Sequence, residues 1–295
     1  PEEPFCMTVL ALRLSRAANG VSELHGQVSR EMWRPLFPGK SEDQVPIGHI
    51  TNGVHIPSWI SIDNSNLFER YLGRDWPVKT WNTDLANRID DIYDEELWRA
   101  HEMNRTRLIR SCRKWMVRQY GRRNAPKYVM KEAESVLDDD VLTIGFARRF
   151  AAYKRSNLLL NDMERLEAIL KNEQYPVQFI FAGKAHPMDN EGKKLVQQIV
   201  HLARNSAYRH KILFLEDYDI DIARHLIQGA DVWLNTPRRP LEACGTSGMK
   251  AAANGVLNVS ILDGWWCEGY TPETGWAIGT GEDFSDHHYQ DAVES

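Results

Sequence analysis

The chain has 295 residues, 42% of them hydrophobic, and a formal net charge of -5. That balance suits a globular protein long enough for two domains; its slight acidity speaks against a nucleic-acid-binding surface, and no apolar run reaches the roughly 18 residues of a membrane span. No secretory signal is visible, and Cys6, Cys112, Cys244 and Cys267 are scattered without a C-x-x-C pair, so they read as free thiols in a reducing cytoplasm rather than as a disulfide framework or a zinc site.

The chain opens at Pro1 in what already reads as the inside of a helix. It closes at Ser295 in an acidic, histidine-containing stretch, and the expectation is an internal piece of a longer protein. Residues 5–34 read as a helix with a break near Asn19-Gly20. GHITNGVHIPSWI (48–60) reads as a loop carrying histidines and an Asn-Gly turn. Residues 89–122 read as a helix with Ile89, Ile92, Leu97, Trp98, Leu108 and Ile109 as its buried set. No strand–helix–strand unit is expected in this half.

The second half alternates. VLTIGFA (141–147) is an apolar run of strand length. Residues 156–174 repeat apolar side chains at Leu159, Met163, Leu166, Ile169 and Leu170, a helical stripe. VQFIFAG (177–183) reads as a strand, 189–206 as a helix, KILFLED (211–217) as a strand, 219–230 as a helix and DVWLN (231–235) as a strand. A small-residue loop and a short helix stopping at Asn254-Gly255 follow. VLNVSIL (256–262) is expected as the last strand. Strands alternating with helices predict an α/β, doubly wound parallel sheet. Ligands bind at the carboxyl ends of such strands. Three loops, 148–155, 183–187 and 237–248, fall there.

In the first loop, Arg148, Arg149, Lys154 and Arg155 follow a buried strand. They are either a solvated basic helix start or a phosphate site, for which arginine forks and lysine point charges are suited. In the third loop, Gly245, Thr246, Ser247 and Gly248 offer backbone N–H groups to an anion, or simply cap a helix. Lys250 is placed in the first helical turn, where the macrodipole disfavours a cation. A desolvated lysine there is biased toward the neutral amine that condenses with an aldehyde, as pyridoxal phosphate requires; the alternative is an exposed lysine. Glu242 suits sugar hydroxyls or a helix cap equally. The ten tryptophans fit sugar stacking but belong mostly to the core.

These residues resemble the α-glucan (glycogen, starch or maltodextrin) phosphorylases over nearly the whole chain. EACGTSGMKAAANG is similar to that family's E-A-S-G-T-x-x-M-K-x-x-x-N-G, and ILDGWW to the strand and turn after it. ARRFAAYKR resembles K-R-x-x-x-Y-K-R, ITNGVHIPSW resembles T-N-G-x-x-P-x-x-W, SRAANGVSELHGQV resembles the helix with N-G-V-x-x-x-H, and FIFAGKAHP resembles G-G-K-A-x-P.

The resemblance implies a GT-B fold, with residues 1–137 as the mostly helical rear of an incomplete N-terminal domain. Residues 138–295 would be the C-terminal Rossmann-like domain that binds cofactor and phosphate. It implies pyridoxal 5'-phosphate joined to Lys250, its phosphate held by Arg148, Gly245 and Thr246, and Tyr218 lining its ring pocket. Arg149 and Lys154 would bind substrate phosphate; Glu242, Ala243, Cys244, Gly245 and Asn52 would hold the glucosyl unit. Lys250, Arg149 and Lys154 are the implied catalytic set, with no metal.

The reaction implied is reversible phosphorolysis of an α-1,4-glucan to glucose 1-phosphate with retention, the cofactor phosphate acting as acid and base. Partners would be α-glucan or maltodextrin, inorganic phosphate and glucose 1-phosphate, with no nucleic acid and no membrane; homo-oligomerisation stays open. Arg16, Gly248 and the basic approach Pro237-Arg238-Arg239-Pro240 depart from the common pattern, as the shorter bacterial or archaeal branch does. The family's N-terminal glycine-rich loop is not in this sequence, so the 295 residues alone are expected to be inactive. Two other readings are a sugar-nucleotide-dependent GT-B glucosyltransferase of the glycogen-synthase kind, against which Lys250 and the paired cations speak, and a non-catalytic glucan-binding relic.

Overall fold

The computed structural model describes residues 5–78, 83–205 and 207–295. The first half is mainly helical; the helix expected over residues 5–34 does break at Asn19-Gly20 as expected, but the break is a strand, so the stretch is three elements. Helix Met7–Leu14 is followed by β1 (Ala18–Gly20) and helix Glu23–Trp33. The chain then returns in β2 (Ile47–His49), which pairs in parallel with β1. This is a small strand–helix–strand unit where none was expected. Three-residue strands are too short to show alternation, and the close packing that builds the unit leaves only glycines as a trace. A methyl group on Gly20 would lie 2.5 Å from the Gly26 nitrogen. The stretch 48–60, expected as a loop, also contains the end of β2 and a short helix, Ile56–Trp59.

The long helix runs Asp94–Arg122. Leu108, Ile109 and Ile92 are buried as expected, whereas Ile89, Leu97 and Trp98 are exposed. Its buried stripe continues instead through Ala100, Asn104, Arg105, Cys112, Met116 and Gln119. Polar groups on that stripe made the helix look less one-sided than it is. The helix crosses Ile220–Gly229 so closely that a methyl group on Gly229 would lie 2.5 Å from the Asn104 carbonyl oxygen.

The second half forms one parallel sheet from β3 (Leu142–Phe150), β4 (Val177–Ala185), β5 (Ile212–Leu215), β6 (Val232–Asn235), β7 (Leu257–Ile261) and β8 (Gly275–Ile278). Its order is β5-β4-β3-β6-β7-β8. The sheet is thus doubly wound, with its switch point between β3 and β6. β7 is not the last strand: β8 pairs in parallel outside it.

Alternation sorts the strands onto two cores. Phe146, Phe150, Phe179, Phe181 and Phe214 meet Leu166, Leu170 and Ile199 of helices Met163–Lys171 and Asn190–Arg204. On the other face Ala147, Ile180, Ala182, Leu213 and Trp233 meet Leu108, Ile109 and Cys112 of the long helix. The helix expected over 156–174 is shorter than its apolar stripe: a 3-10 turn, Leu158–Leu160, precedes it, and Met163 and Ile169 are exposed. The helix expected over 189–206 spans Asn190–Arg204, and Ser206 lies outside the described residues.

A cleft of about 790 Å³ opens at the amino-terminal edge of the sheet, beside Leu142, Val232 and Leu257. The chemistry-bearing side chains gather at the opposite edge. Among the described residues no helix is long and apolar enough to cross a membrane, and no group of three His, Cys, Asp or Glu side chains could hold a metal ion.

Candidate active site

At the carboxyl end of β3 the backbone carries Arg148 and Arg149, still within the strand. Lys154 and Arg155 follow on a tight 3-10 turn, Ala152–Lys154. The basic segment is therefore a strand end and a turn, not the start of a helix. The approach of β4 is unusually close here: a methyl group on Gly183 would lie 2.1 Å from the Arg148 carbonyl oxygen.

The four cations have different fates. Arg155 is buried and structural. Its guanidinium donates to the Thr236 and Pro237 carbonyls and pairs with Asp291 and Glu294. Arg238 and Arg239, the basic approach to the third loop, likewise anchor the chain end, through Asp291 and Asp283. Arg149 is exposed.

Arg148 and Lys154 converge on Glu242. Arg148 Nη2 donates to Glu242 Oε2 at 2.9 Å, and the Lys154 ammonium pairs with the same oxygen. Their side chains are only 8% and 9% exposed. Burial pushes the Arg148 guanidinium below its ordinary pKa, opposed by the Glu242 carboxylate. Its Nη1 is buried without a hydrogen-bond partner. An unpaired buried donor on a cation is costly, so it marks a place for an anion. Glu242 is no helix cap, since no side chain caps the helix Thr246–Ala252 that follows.

That helix begins after Gly245, whose φ of 87° lies in the left-handed region. Gly248 is packed against Asn258 and Trp265, and a methyl group on it would lie 2.6 Å from Asn258 Oδ1. This explains why a side chain is missing there. Lys250 stands in the last turn of this seven-residue helix, not in the first. The macrodipole therefore favours its charge instead of opposing it, and the dipole argument for a neutral amine fails. The desolvation half of the expectation holds: burial pushes the Lys250 pKa down. Its Nζ lies 4.0 Å from the centroid of the Trp59 ring.

Tyr218 packs against the same core cluster as Trp59 and lies in the field of Arg148, which partly offsets the rise that burial imposes on its hydroxyl.

The first half supplies the other wall. Ser22 Oγ donates to the Ala243 carbonyl at 2.7 Å. Burial raises the Cys244 thiol, while hydrogen bonds from Asn52 hold it down. Asn52, itself exposed, is fixed by its backbone N–H on the Val21 carbonyl at 3.0 Å. Thr51 and the Glu23 N–H both bind Glu268.

Beneath the third loop, Asp263 Oδ2 accepts from the Glu242 N–H at 2.9 Å and Oδ1 from the Gly264 N–H at 2.8 Å. Burial raises this carboxyl to about 7. Asp263, Trp59, Ser22 and Glu268 were not singled out from sequence, although Ser22, Trp59 and Asp263 stand inside the motifs SRAANGVSELHGQV, ITNGVHIPSW and ILDGWW.

A profile of the carbohydrate phosphorylases matches residues 2–269. The chain belongs to that family. It is 47% identical over 292 residues to a glycogen phosphorylase of Aquifex aeolicus, covering 99% of this chain and 42% of the relative. It is 45% identical over 277 residues to a maltodextrin phosphorylase of Thermococcus litoralis, covering 94% of this chain and 33% of the relative. A glycogen phosphorylase of Mycobacterium tuberculosis is 45% identical over 294 residues, 99% of this chain and 33% of the relative. The chain thus spans between a third and somewhat under half the length of these relatives. As a phosphorylase-family chain it has the α/β fold of GT-B type that the motifs implied, a doubly wound parallel sheet with a mainly helical companion.

Proposed function

We propose that this chain carries the cofactor- and phosphate-binding part of an α-glucan phosphorylase, a hexosyltransferase that reversibly cleaves α-1,4-glucan with inorganic phosphate to glucose 1-phosphate, with retention. The observation that carries the reading is buried Arg148, with one nitrogen unpartnered, beside Lys154 at the switch-point crevice. The residues present fit pyridoxal 5'-phosphate. Lys250 is desolvated and would hold the aldehyde carbon; Arg148 with the Gly245 and Thr246 backbone would hold the phosphate, and Tyr218 would line the ring. When bound, that group supplies a phosphate that exchanges a proton with inorganic phosphate.

The chain's own residues do the rest. Arg149 and Lys154 bind inorganic phosphate, and with Arg148 they offset the repulsion of two phosphates brought together in a water-poor site. Glu242, Ala243, Cys244, Gly245 and Asn52 receive the glucosyl unit. Glu242 does so by exchanging a cation partner for sugar hydroxyls once phosphate occupies the cations. The division at residues 137 and 138, into the rear of an N-terminal domain and a C-terminal domain, belongs to the same proposal, as does a cytoplasmic location.

The test uses the full-length protein with maltodextrin and phosphate. Glucose 1-phosphate should be released, Lys250→Ala should abolish release, and Arg148→Ala should lower it by roughly 10²–10³, the usual loss for a charge-stabilising donor. Absence of release from the unmodified protein, or full release by Lys250→Ala, overturns the reading. Transfer from a sugar nucleotide without phosphate would assign the glucosyltransferase activity instead.

A further inference from the structure

Asn254 ends the helix that carries Lys250, and the Asn-Gly pair looks like a helix stop. The structure shows more. Asn254 is 2% exposed and every polar atom of its side chain is used. Nδ2 donates to the Lys250 carbonyl at 2.9 Å and to the Trp59 carbonyl at 3.1 Å. Oδ1 accepts from the Ser61 N–H at 2.8 Å. A helix stop needs bonds to its own last carbonyls. Two of these three bonds reach instead to residues 59 and 61, in the other half of the chain.

The backbone of Asn254 is held as firmly. Its carbonyl accepts from Asn64 Nδ2 at 3.1 Å, and Asn64 Oδ1 accepts from Asn104 on the long helix at 3.2 Å. The Trp59 carbonyl also receives Gln228 Nε2 at 3.0 Å, so both its lone pairs are filled. The Trp59 backbone is therefore fixed relative to the Lys250 backbone by one primary amide. An amide is required, because a carboxylate has no N–H to give to two carbonyls.

We infer that Asn254 is a positioning residue: its side-chain amide ties the Lys250 and Trp59 backbones together and so holds the indole against the Lys250 amine. The inference deepens the proposed function and rests on Lys250 being the cofactor lysine. The indole keeps water from one side of Nζ; its ring face attracts an ammonium, but burial opposes that attraction and lowers the Lys250 pKa. It also limits the directions from which the amine can meet an aldehyde. Releasing Trp59 would return the amine to water and to the disorder of a long flexible side chain.

The experiment compares full-length wild-type protein with Asn254→Ala and Asn64→Ala, each freed of cofactor. Asn64→Ala removes the bond to the Asn254 carbonyl but leaves the side-chain clamp whole, and serves as the control for general loosening. Two quantities are read. One is the pH midpoint of Lys250 acetylation by acetic anhydride, followed by peptide mass spectrometry, which needs no cofactor. The other is the rate at which added pyridoxal 5'-phosphate becomes borohydride-trapped on Lys250.

In Asn254→Ala the midpoint should move up toward the ordinary lysine value of about 10.4, and trapping should slow by roughly 10–100-fold, the scale of loss when residues that orient metal-ligating side chains are removed. Asn64→Ala should change neither. On a Trp59→Ala background, Asn254→Ala should add little, because both act on one contact. An unchanged midpoint in Asn254→Ala, or an equal displacement in Asn64→Ala, overturns the inference. If Asn254→Ala does not fold, Gln228→Ala, which removes the other donor to the Trp59 carbonyl, should displace the midpoint upward by less; no displacement overturns it. A wild-type protein that traps no pyridoxal 5'-phosphate sinks the proposed function, while the acetylation midpoints still decide the clamp.

Discussion

At the scale of single residues, the site is a set of buried charges held in place by backbone. Glu242 faces Arg148 and Lys154, and its own N–H is held by Asp263. Asp263 is 1% exposed, and burial lifts its carboxyl to about 7. An acid with a raised folded pKa binds more protons folded than unfolded across that interval. Its contribution to stability is therefore full below about pH 4 and falls as pH rises to about 7. Asp263→Asn removes this slope but gives up one of two backbone acceptors, at about 1 kcal/mol. The variant should be less stable than wild type at pH 4 and equal or more stable at pH 8, as read by thermal unfolding across that range. Parallel curves would show that Asp263 does not titrate there. None of this was legible from sequence, because Asp-Gly reads as a turn wherever it stands. Lys250 was legible as a special lysine through its motif, with desolvation the right half of the expected cause and the helix dipole the wrong half. The helix proved only seven residues long, with Lys250 in its last turn, so burial and not the dipole lowers the lysine's pKa.

At the scale of elements, the long apolar runs were readable and the short elements were not. β3 to β7 each stand where continuous apolar residues placed them, since strands covered on both faces need no polar alternation. β8 is a four-residue strand holding a glycine and an exposed tryptophan, and nothing in its composition separates it from a loop. β1 and β2 were missed because their unit depends on close backbone approach. The loop after β1 carries Ser22 to the Ala243 carbonyl and Val21 to Asn52, so this small unit positions one wall of the site. Gly20→Ala would drive a methyl group to 2.5 Å from the Gly26 nitrogen and 2.7 Å from its Cα, both backbone atoms that cannot rotate away. Overpacking of this kind costs about 1–3 kcal/mol. The variant should unfold at a lower temperature and, if the proposed function holds, the full-length protein should bind α-glucan more weakly while Lys250 still takes up pyridoxal 5'-phosphate. Wild-type glucan affinity in a destabilised Gly20→Ala would detach the unit from the site.

At the scale of the molecule, the two halves share a core and several buried polar pins. The long helix from the first half covers one face of the sheet. At the edge of the sheet opposite the site, Asp231 fastens the helix to the strands. Its Oδ1 meets His101 at 2.6 Å and Arg105 at 2.8 Å, and its Oδ2 accepts from the Thr143 N–H at 2.6 Å. Burial alone would raise the Asp231 carboxyl, but His101, the Thr143 N–H and Arg105 outweigh it and hold the pKa below its ordinary value. A depressed folded pKa means stability that is present above about pH 4 and lost as pH falls through the folded value. The pin therefore protects the joint at neutral pH and weakens in acid, the reverse of Asp263. Arg105 is 6% exposed, so Asp231→Ala strands a buried cation and should cost about 3–5 kcal/mol in urea unfolding. Replacing both partners removes the stranded charge. Asp231→Ala combined with Arg105→Leu should therefore be more stable than Asp231→Ala alone, although two side chains are then missing. If the double variant is instead less stable than the single one, Arg105 is satisfied without Asp231, through its bond to the Asp139 carbonyl, and the pin is not what fastens helix to sheet.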